Sequence, residues 1–342
     1  MKIAIIRLSA LGDIIQSTVI LQLIKEKFKN AKIHYFIDEK FKNILLNHHL
    51  IDKLYTLPLK EKKILKSLKI AFEARKNHYD FVIDMQGLVK SAILSALLSK
   101  KNYGFDKYSI KESLASIFYK NKLNISYNTN IYERNLSLLC FALNLKIDIR
   151  EFLLNKKPCF ISDEKLEAKL KADLSLSDDK KIFLIHCGSS VENKIYPKKR
   201  MAKLCKKLAS SYLDYDFLLC FGCDKERDFA CFVLEFCKDE DNVKLCKQLS
   251  LQELISITKL SSFVLGNDSG PTHLAFALNK PSLTVFGATP SKRNAYETKI
   301  NFTINANKEI DATRLDKSDF CIEDIDENEI FAKIKGFLDE KK

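Results

Sequence analysis

The sequence predicts an α/β protein in which two parallel sheets are each covered by helices on both faces. Three observations predict it. Apolar runs of strand length alternate with segments of helical period along most of the chain. The alternation comes as two series, divided by the polar segment SDEKLEAKLKADLSLSDDKK at 162–181. A chain of 342 residues also exceeds what one hydrophobic core usually serves, so two domains are expected.

KIAIIRL at 2–8 opens as a strand, SALGD turns, and IIQSTVILQLIKEKF at 14–28 repeats its apolar residues at helical spacing. Strand, tight turn and helix make the first half of a parallel βαβ unit. KIHYFI at 32–37 supplies a second strand, DFVIDM at 80–85 a further buried one, and QGLVKSAILSALLS at 86–99 a helix. In the second series IFLIHC (182–187), YDFLLCFG (215–222), SSFVLG (261–266) and PSLTVFG (281–287) read as strands. KRMAKLCKKLASSY (199–212), ERDFACFVLEFC (226–237) and PTHLAFAL (271–278) read as the helices between them. Two Rossmann-like lobes facing a central cleft are the expected architecture, with domains at 1–160 and 161–325 and a C-terminal helix at 326–342.

Charge separates the halves. The net charge is +13, yet residues 1–160 hold 28 Lys and Arg against 14 Asp and Glu, while 161–342 hold 29 against 30. A single-sign field on one lobe concentrates anionic partners, so the N-terminal lobe is expected to meet an anionic ligand or an anionic membrane surface. The densest basic stretch, 59–76, carries Lys60, Lys62, Lys63, Lys66, Lys69, Arg75 and Lys76 against Glu61 and Glu73. Its one aromatic is Phe72, a poor supply of stacking surface, and no nucleic-acid partner is expected. No apolar run reaches the roughly 18 residues that span a bilayer, and the start lacks the features of a signal peptide, so a cytoplasmic protein is expected. Ten cysteines, none before Cys140, read as reduced core thiols. Cys220 and Cys223 form a C-x-x-C with no second ligand pair, and neither a metal nor a cofactor is expected.

In open α/β sheets ligands bind outside the carboxyl ends of the strands, so the residues just after each strand are the informative ones. Asp13 follows the first strand; it reads either as a carboxylate able to take a proton from a hydroxyl or as the N-cap of the helix that begins there. HCGSSVENKIYP offers Gly188, Ser189 and Ser190 as hydrogen-bond donors and Lys194 as a compact cation for a diphosphate. GNDSGPTHLAFAL sets Asp268, Ser269 and Gly270 before a Pro in the first helical turn, with Thr272 and His273 following, which aims free N–H groups and the positive helix end at an anion. Glu226 follows the strand at 215–222, where it could hold a ribose hydroxyl pair or lie solvated in a first helical turn.

These residues resemble the lipopolysaccharide heptosyltransferases, glycosyltransferase family 9. The match rests on RLSALGDIIQSTV, DFVIDMQGLVKSA, KESLASIFY, HCGSSVENKIYP and NDSGPTHLAFALNKPSLTVFG, which run from residue 7 to 287. QGLVKSA with LASIFY is more similar to the type I branch than to type II. The resemblance implies a GT-B fold, ADP-L-glycero-D-manno-heptose as donor substrate, and the Kdo portion of Kdo2-lipid A as acceptor at the cytoplasmic face of the inner membrane. It implies that Asp13 is the general base of a single inverting displacement. Ser189, Ser190, Lys194, Glu226, Asp268, Ser269, Gly270 and His273 fall on its donor-site positions. Lys60, Lys62, Lys63, Lys90, Lys111 and Arg134 fall on its basic acceptor-binding positions. Against the alternative of a Rossmann dehydrogenase or epimerase, SALGDI lacks the G-x-G-x-x-G that lets backbone approach a pyrophosphate.

Overall fold

A computed structural model describes residues 1–59 and 63–341. Packing divides the chain into two compact units, Met1–Phe160 and Ile161–Lys342. Unit 1 contains, in chain order, β1 (Lys2–Ile6), α1 (Leu11–Lys27), β2 (Lys32–Asp38), β3 (Lys53–Leu57), α2 (Ile64–Arg75), β4 (Phe81–Asp84), α3 (Val89–Leu98), β5 (Asn102–Phe105), β6 (Asn121–Leu123), α4 (Ile131–Leu143) and α5 (Ile149–Asn155). Its six strands pair in parallel in the order β3-β2-β1-β4-β5-β6. In α1 the residues from Ile14 to Leu21 are buried without a break, Gln16, Ser17 and Thr18 among them, so this part of the helix is covered on every side.

Unit 2 contains α6 (Glu164–Asp173), β7 (Lys181–His186), α7 (Lys198–Ser211), β8 (Tyr215–Cys220), α8 (Asp224–Phe236), β9 (Val243–Leu245), α9 (Leu251–Leu260), β10 (Phe263–Asn267), α10 (Gly270–Ala277), β11 (Ser282–Phe286), α11 (Ser291–Asn294), β12 (Asn301–Asn305) and α12 (Glu327–Asp339). The sheet order is β12-β11-β10-β7-β8-β9, again all parallel. Strand β7 shows why the central strands read as unbroken apolar runs. Phe183 and Ile185 face a core with Met201, Leu208, Val233, Ile330 and Ile334. Ile182 and Leu184 face another core with Leu170, Ile257 and Ala275. A strand covered on both faces leaves little room for polar side chains, and on β7 only the end residues Lys181 and His186 are polar.

In each sheet the first strand lies between the second and the fourth. Strand order therefore reverses between β1 and β4 in unit 1, and between β7 and β10 in unit 2, and these crevices are where open α/β sheets bind ligands.

All ten cysteines are unpaired, and most are buried; Cys223 and Cys231 are exposed. A helix, α8, does begin directly after the C-x-x-C, but Cys220 is buried on β8 and Cys223 is not, so the two thiols occupy different environments. Among the described residues no helix is long and apolar enough to cross a membrane.

Candidate functional site

At the reversal in unit 1, Arg7 follows β1 and makes two contacts. Its Nη2 lies 2.7 Å from Asp13 Oδ1, and its Nη1 donates to the Met85 carbonyl just beyond β4. Gln86 ties the same two loops together, its Oε1 accepting from the backbone N–H of Leu8 (2.7 Å) and Ser9 (3.1 Å). Beneath them lies Asp84, fully buried at the end of β4, accepting from the Tyr119 hydroxyl at 2.7 Å and the Gln86 N–H at 2.8 Å. Burial pushes the Asp84 carboxyl up, and these donors work against that rise.

Asp13 is not the N-cap of α1. That position is Ala10, and Asp13 is the third helical residue, its Oδ2 accepting from the Ala10 N–H at 3.1 Å. A carboxylate there satisfies one orphan donor and favours the positive helix end. The side chain keeps 38% of its surface exposed while Arg7 fixes its orientation. The capping and chemical readings of Asp13 are therefore compatible: one oxygen closes the turn, the other meets Arg7, and the side chain remains part-exposed.

The basic residues of unit 1 divide. Lys60 and Lys62 lie outside the described residues. Lys63 directly precedes α2, Lys90 lies in the first turn of α3, and both are exposed. Lys111 is exposed, with its Nζ 5.6 Å from the centre of the Tyr127 ring. Arg134 corrects the expectation of an open acceptor-binding cation. It is buried on α4, and its guanidinium donates to the carbonyls of Ile125 (3.2 Å), Ser126 (2.5 Å) and Ser109 (2.7 Å). It also stacks 4.5 Å from the Phe105 ring centre. A guanidinium so committed braces the loops at 109 and 125–126.

At the reversal in unit 2 the centre is Asp268, just after β10 and buried. Its Oδ2 accepts from Lys194 Nζ (2.8 Å), Thr289 Oγ1 (2.9 Å) and Asn294 Nδ2 (3.2 Å), and its Oδ1 lies 3.3 Å from His273 Nε2. Burial alone would raise its pKa, but the His273 hydrogen bond and the Lys194 charge prevail and hold the carboxyl well below the usual range. Asp268 therefore fixes Lys194 and His273 against itself, and the Lys194 side chain is 21% exposed.

Ser269 is the N-cap of α10, and its Oγ is buried without a hydrogen-bond partner among the described residues. Pro271 occupies the first turn, where its missing N–H removes nothing. The N–H groups at the start of a helix have no partner within it, so the α10 terminus supplies donors for an anion. The loop after β7 runs alongside. Asn267 clamps it at two points, accepting from the Tyr196 N–H (3.0 Å) and donating to the Gly188 carbonyl (3.3 Å). Ser189 donates its hydroxyl to the Asp268 carbonyl at 3.3 Å, and Ser190 is exposed.

Glu226 is not a loose surface side chain. Its Oε2 accepts from the Gly222 N–H at 2.6 Å, and a Cβ at position 188 would sit 2.0 Å from its carboxyl, so the close approach requires Gly188. The carboxylate thus stands between the loops that follow β7 and β8. His186, at the end of β7, is buried with an unpartnered Nε2 among the described residues, and burial lowers its pKa to about 4.

Structure therefore gathers Ser189, Lys194, Asp268, Ser269, Gly270 and His273 around one crevice, with Ser190 exposed on the same loop and Glu226 on its border. Sequence reasoning missed Arg7, Gln86, Asn267, Thr289 and Asn294. Arg7 and Thr289 each closely follow a strand, which is the signal that could have found them; Asn294 has no such mark. Among the described residues no cluster of three or more His, Cys, Asp or Glu side chains suits a metal ion.

The profile of Glycosyltransferase family 9 (heptosyltransferase) matches residues 68–320. Lipopolysaccharide heptosyltransferase 1 of Campylobacter coli is 55% identical over 337 residues, covering 98% of each chain. The protein of that name from Escherichia coli K12 is 28% identical over 236 residues, 69% of this chain and 68% of its own. Among solved structures, E. coli heptosyltransferase WaaC with ADP aligns with a TM-score of 0.73 at 21% identity, covering 99% of this chain and 98% of that one. E. coli ADP-heptose lps heptosyltransferase II aligns at 0.78 with 17% identity over the full length of both. At these identities the structures establish the fold, which is GT-B.

Proposed function

The chain belongs to glycosyltransferase family 9, the heptosyltransferases, and from that premise we propose that it adds the first heptose of the lipopolysaccharide inner core. The donor is ADP-L-glycero-D-manno-heptose, and the acceptor is a hydroxyl of the Kdo region of Kdo2-lipid A. Unit 2 holds the donor. Lys194 and the N–H groups at the start of α10 bind the diphosphate, with the Ser269 hydroxyl, unpartnered among the described residues, as a further donor, and Glu226 takes the ribose hydroxyls. Unit 1 holds the acceptor, whose carboxylates and phosphates suit Lys63, Lys90 and Lys111 and, from the sequence, Lys60 and Lys62. Because the acceptor is a lipid, the protein works at the anionic inner surface of the membrane.

The proposed reaction is a single inverting displacement. Asp13 takes the proton of the acceptor hydroxyl as its oxygen bonds to the anomeric carbon. The bond from that carbon to the ADP oxygen breaks on the opposite side, so the configuration inverts. The negative charge that develops on ADP is met by Lys194 and the α10 terminus, donors already oriented before the reaction.

The observation that carries this reading is Asp13 itself, a part-exposed carboxylate held in one orientation by Arg7 at the strand-order reversal. Asp13→Asn keeps the shape and removes the base. With ADP-heptose and Kdo2-lipid A, kcat should fall by about 10³-fold, while ADP affinity by calorimetry should not change. Wild-type turnover in this variant would remove Asp13 from the chemistry. Running the same assay with a mono-heptosylated acceptor separates addition of the first heptose from addition of the second.

A further inference from the structure

We propose that the outer face of α2, α3 and the 3₁₀ turn at Ser113–Phe118 is the surface by which this protein seats itself on a bilayer containing anionic lipid. The proposal deepens the reading of a lipid acceptor and rests on it, naming the part of the fold that meets the membrane.

Two elements show a partial inversion of normal packing. Surface helices bury their large apolar residues and display small or polar ones. Helix α2 buries Ala71 and Ala74 and packs Ile70 against the same core, yet it displays Ile64, Leu65 and Phe72, with Leu65 83% exposed. The 3₁₀ turn repeats this, burying Ala115 and Ser116 and displaying Leu114 and Ile117, each 68% exposed. Residues three apart eclipse in a 3₁₀ turn, so Leu114 and Ile117 project together.

The three elements form one layer. Ala71 and Ala74 of α2 share a core with Leu94 and Leu98 of α3. On its other flank α3 packs Ala92 against Ala115 and Tyr119. Between the two inverted elements α3 displays Lys90 and Ile93. Large apolar side chains scattered singly over a surface need no explanation, but a layer that presents them from three successive elements does.

Charge identifies the occupant. Lys66, Lys69, Lys90 and Lys111 are exposed among these apolar side chains. The acids nearby are engaged: Glu73 pairs with Lys76 at 2.9 Å, and Glu112 accepts from the Val89 N–H at 2.7 Å. Apolar side chains interleaved with lysines suit the headgroup boundary, where the former reach acyl chains and the latter stay among phosphates. A second copy of the chain would instead bring its own lysines against these.

The test uses full-length protein and vesicles of phosphatidylcholine with or without phosphatidylglycerol. Wild type should sediment with the anionic vesicles and far less with the neutral ones. Replacing Leu65, Phe72, Leu114 and Ile117 together by Ser should lower the partition coefficient by at least about tenfold. Lys66→Gln with Lys69→Gln should lower it about tenfold. Transfer to a deacylated, water-soluble acceptor should stay within about twofold of wild type in both variants. If the fourfold variant loses that transfer, its fold is damaged and hydrogen exchange on wild type decides. Slower exchange at 64–72 and 113–118 on adding anionic vesicles supports the proposal, and unchanged exchange overturns it. Equal partition of wild type onto both vesicles, or undiminished partition of the fourfold variant, also overturns it. So does an oligomer that the Ser substitutions dissociate while vesicle binding persists, since the face would then join copies of the chain. Wild type that binds these vesicles yet transfers no heptose to either acceptor would sink the functional reading and leave the membrane surface standing.

Discussion

The strand-order reversals of the two units occupy equivalent points in matching sheets, and each sets a carboxylate against a cation. The two carboxylates are nevertheless treated in opposite ways. Asp13 lies on the first turn of a helix, keeps 38% of its side chain exposed, and is oriented by Arg7 at 2.7 Å. Asp268 is buried and surrounded by Lys194, His273, Thr289 and Asn294. Partial exposure lets a ligand approach a carboxylate. A carboxylate whose lone pairs are filled by its own protein can orient those partners and do little else. One topology thus leaves a part-exposed carboxylate in one unit and holds a buried one in a rigid frame of donors in the other.

That contrast can be broken by stability measurements. Asp268→Asn should destabilise the fold by about 3 kcal/mol in denaturant titration, because it leaves Lys194 and a hydrogen-bonded set without their charged centre. Asp13→Asn should cost less than about 1 kcal/mol, since its carboxylate is part-exposed. The reverse order would mean that Asp13 is the architectural group.

Smaller effects sharpen the comparison. Arg7→Met removes the group that aims Asp13, and kcat should fall about tenfold with ADP affinity unchanged; a loss confined to KM would instead assign Arg7 to acceptor binding. Thr289→Val deletes one of the Asp268 donors and should destabilise by about 1–2 kcal/mol. The smallest effect at neutral pH concerns His186. Its folded pKa of about 4 lies below the ordinary 6.5, so between those values the unfolded chain binds a proton that the folded chain refuses. This residue therefore makes stability rise with pH from about 4 to 6.5 and fall on acidification through that window. His186→Leu should flatten the slope there, and an unchanged slope would assign the acid sensitivity to other groups.

Much of the fold was legible because β1, β2, β4, β7, β8, β10 and β11 are covered on both faces and are mainly apolar, with most of their polar residues near the ends. The outer strands were not. NYGF in β5, NKL in β6, VKL in β9 and NFTIN in β12 are short or polar, and near a sheet edge they can be. At the site, Asp268 and Lys194 could be named from their place after strands. The depth of the Asp268 pocket could not, because Thr289 and Asn294 reach it from 21 and 26 residues away. Arg134 was placed on an acceptor position by the resemblance alone, and only tertiary packing brings the carbonyls of Ser109, Ile125 and Ser126 around it.

The distribution of thiols has a practical consequence. Six of the ten cysteines are buried, while Cys223 and Cys231 are exposed. A maleimide dye should therefore label these two first, and Cys223 stands three positions before Glu226 at the rim of the unit 2 crevice. Replacing Cys231 by Ser would leave one dominant attachment point, so that fluorescence from a probe at Cys223 could report occupancy in real time, turn by turn, without a coupled assay.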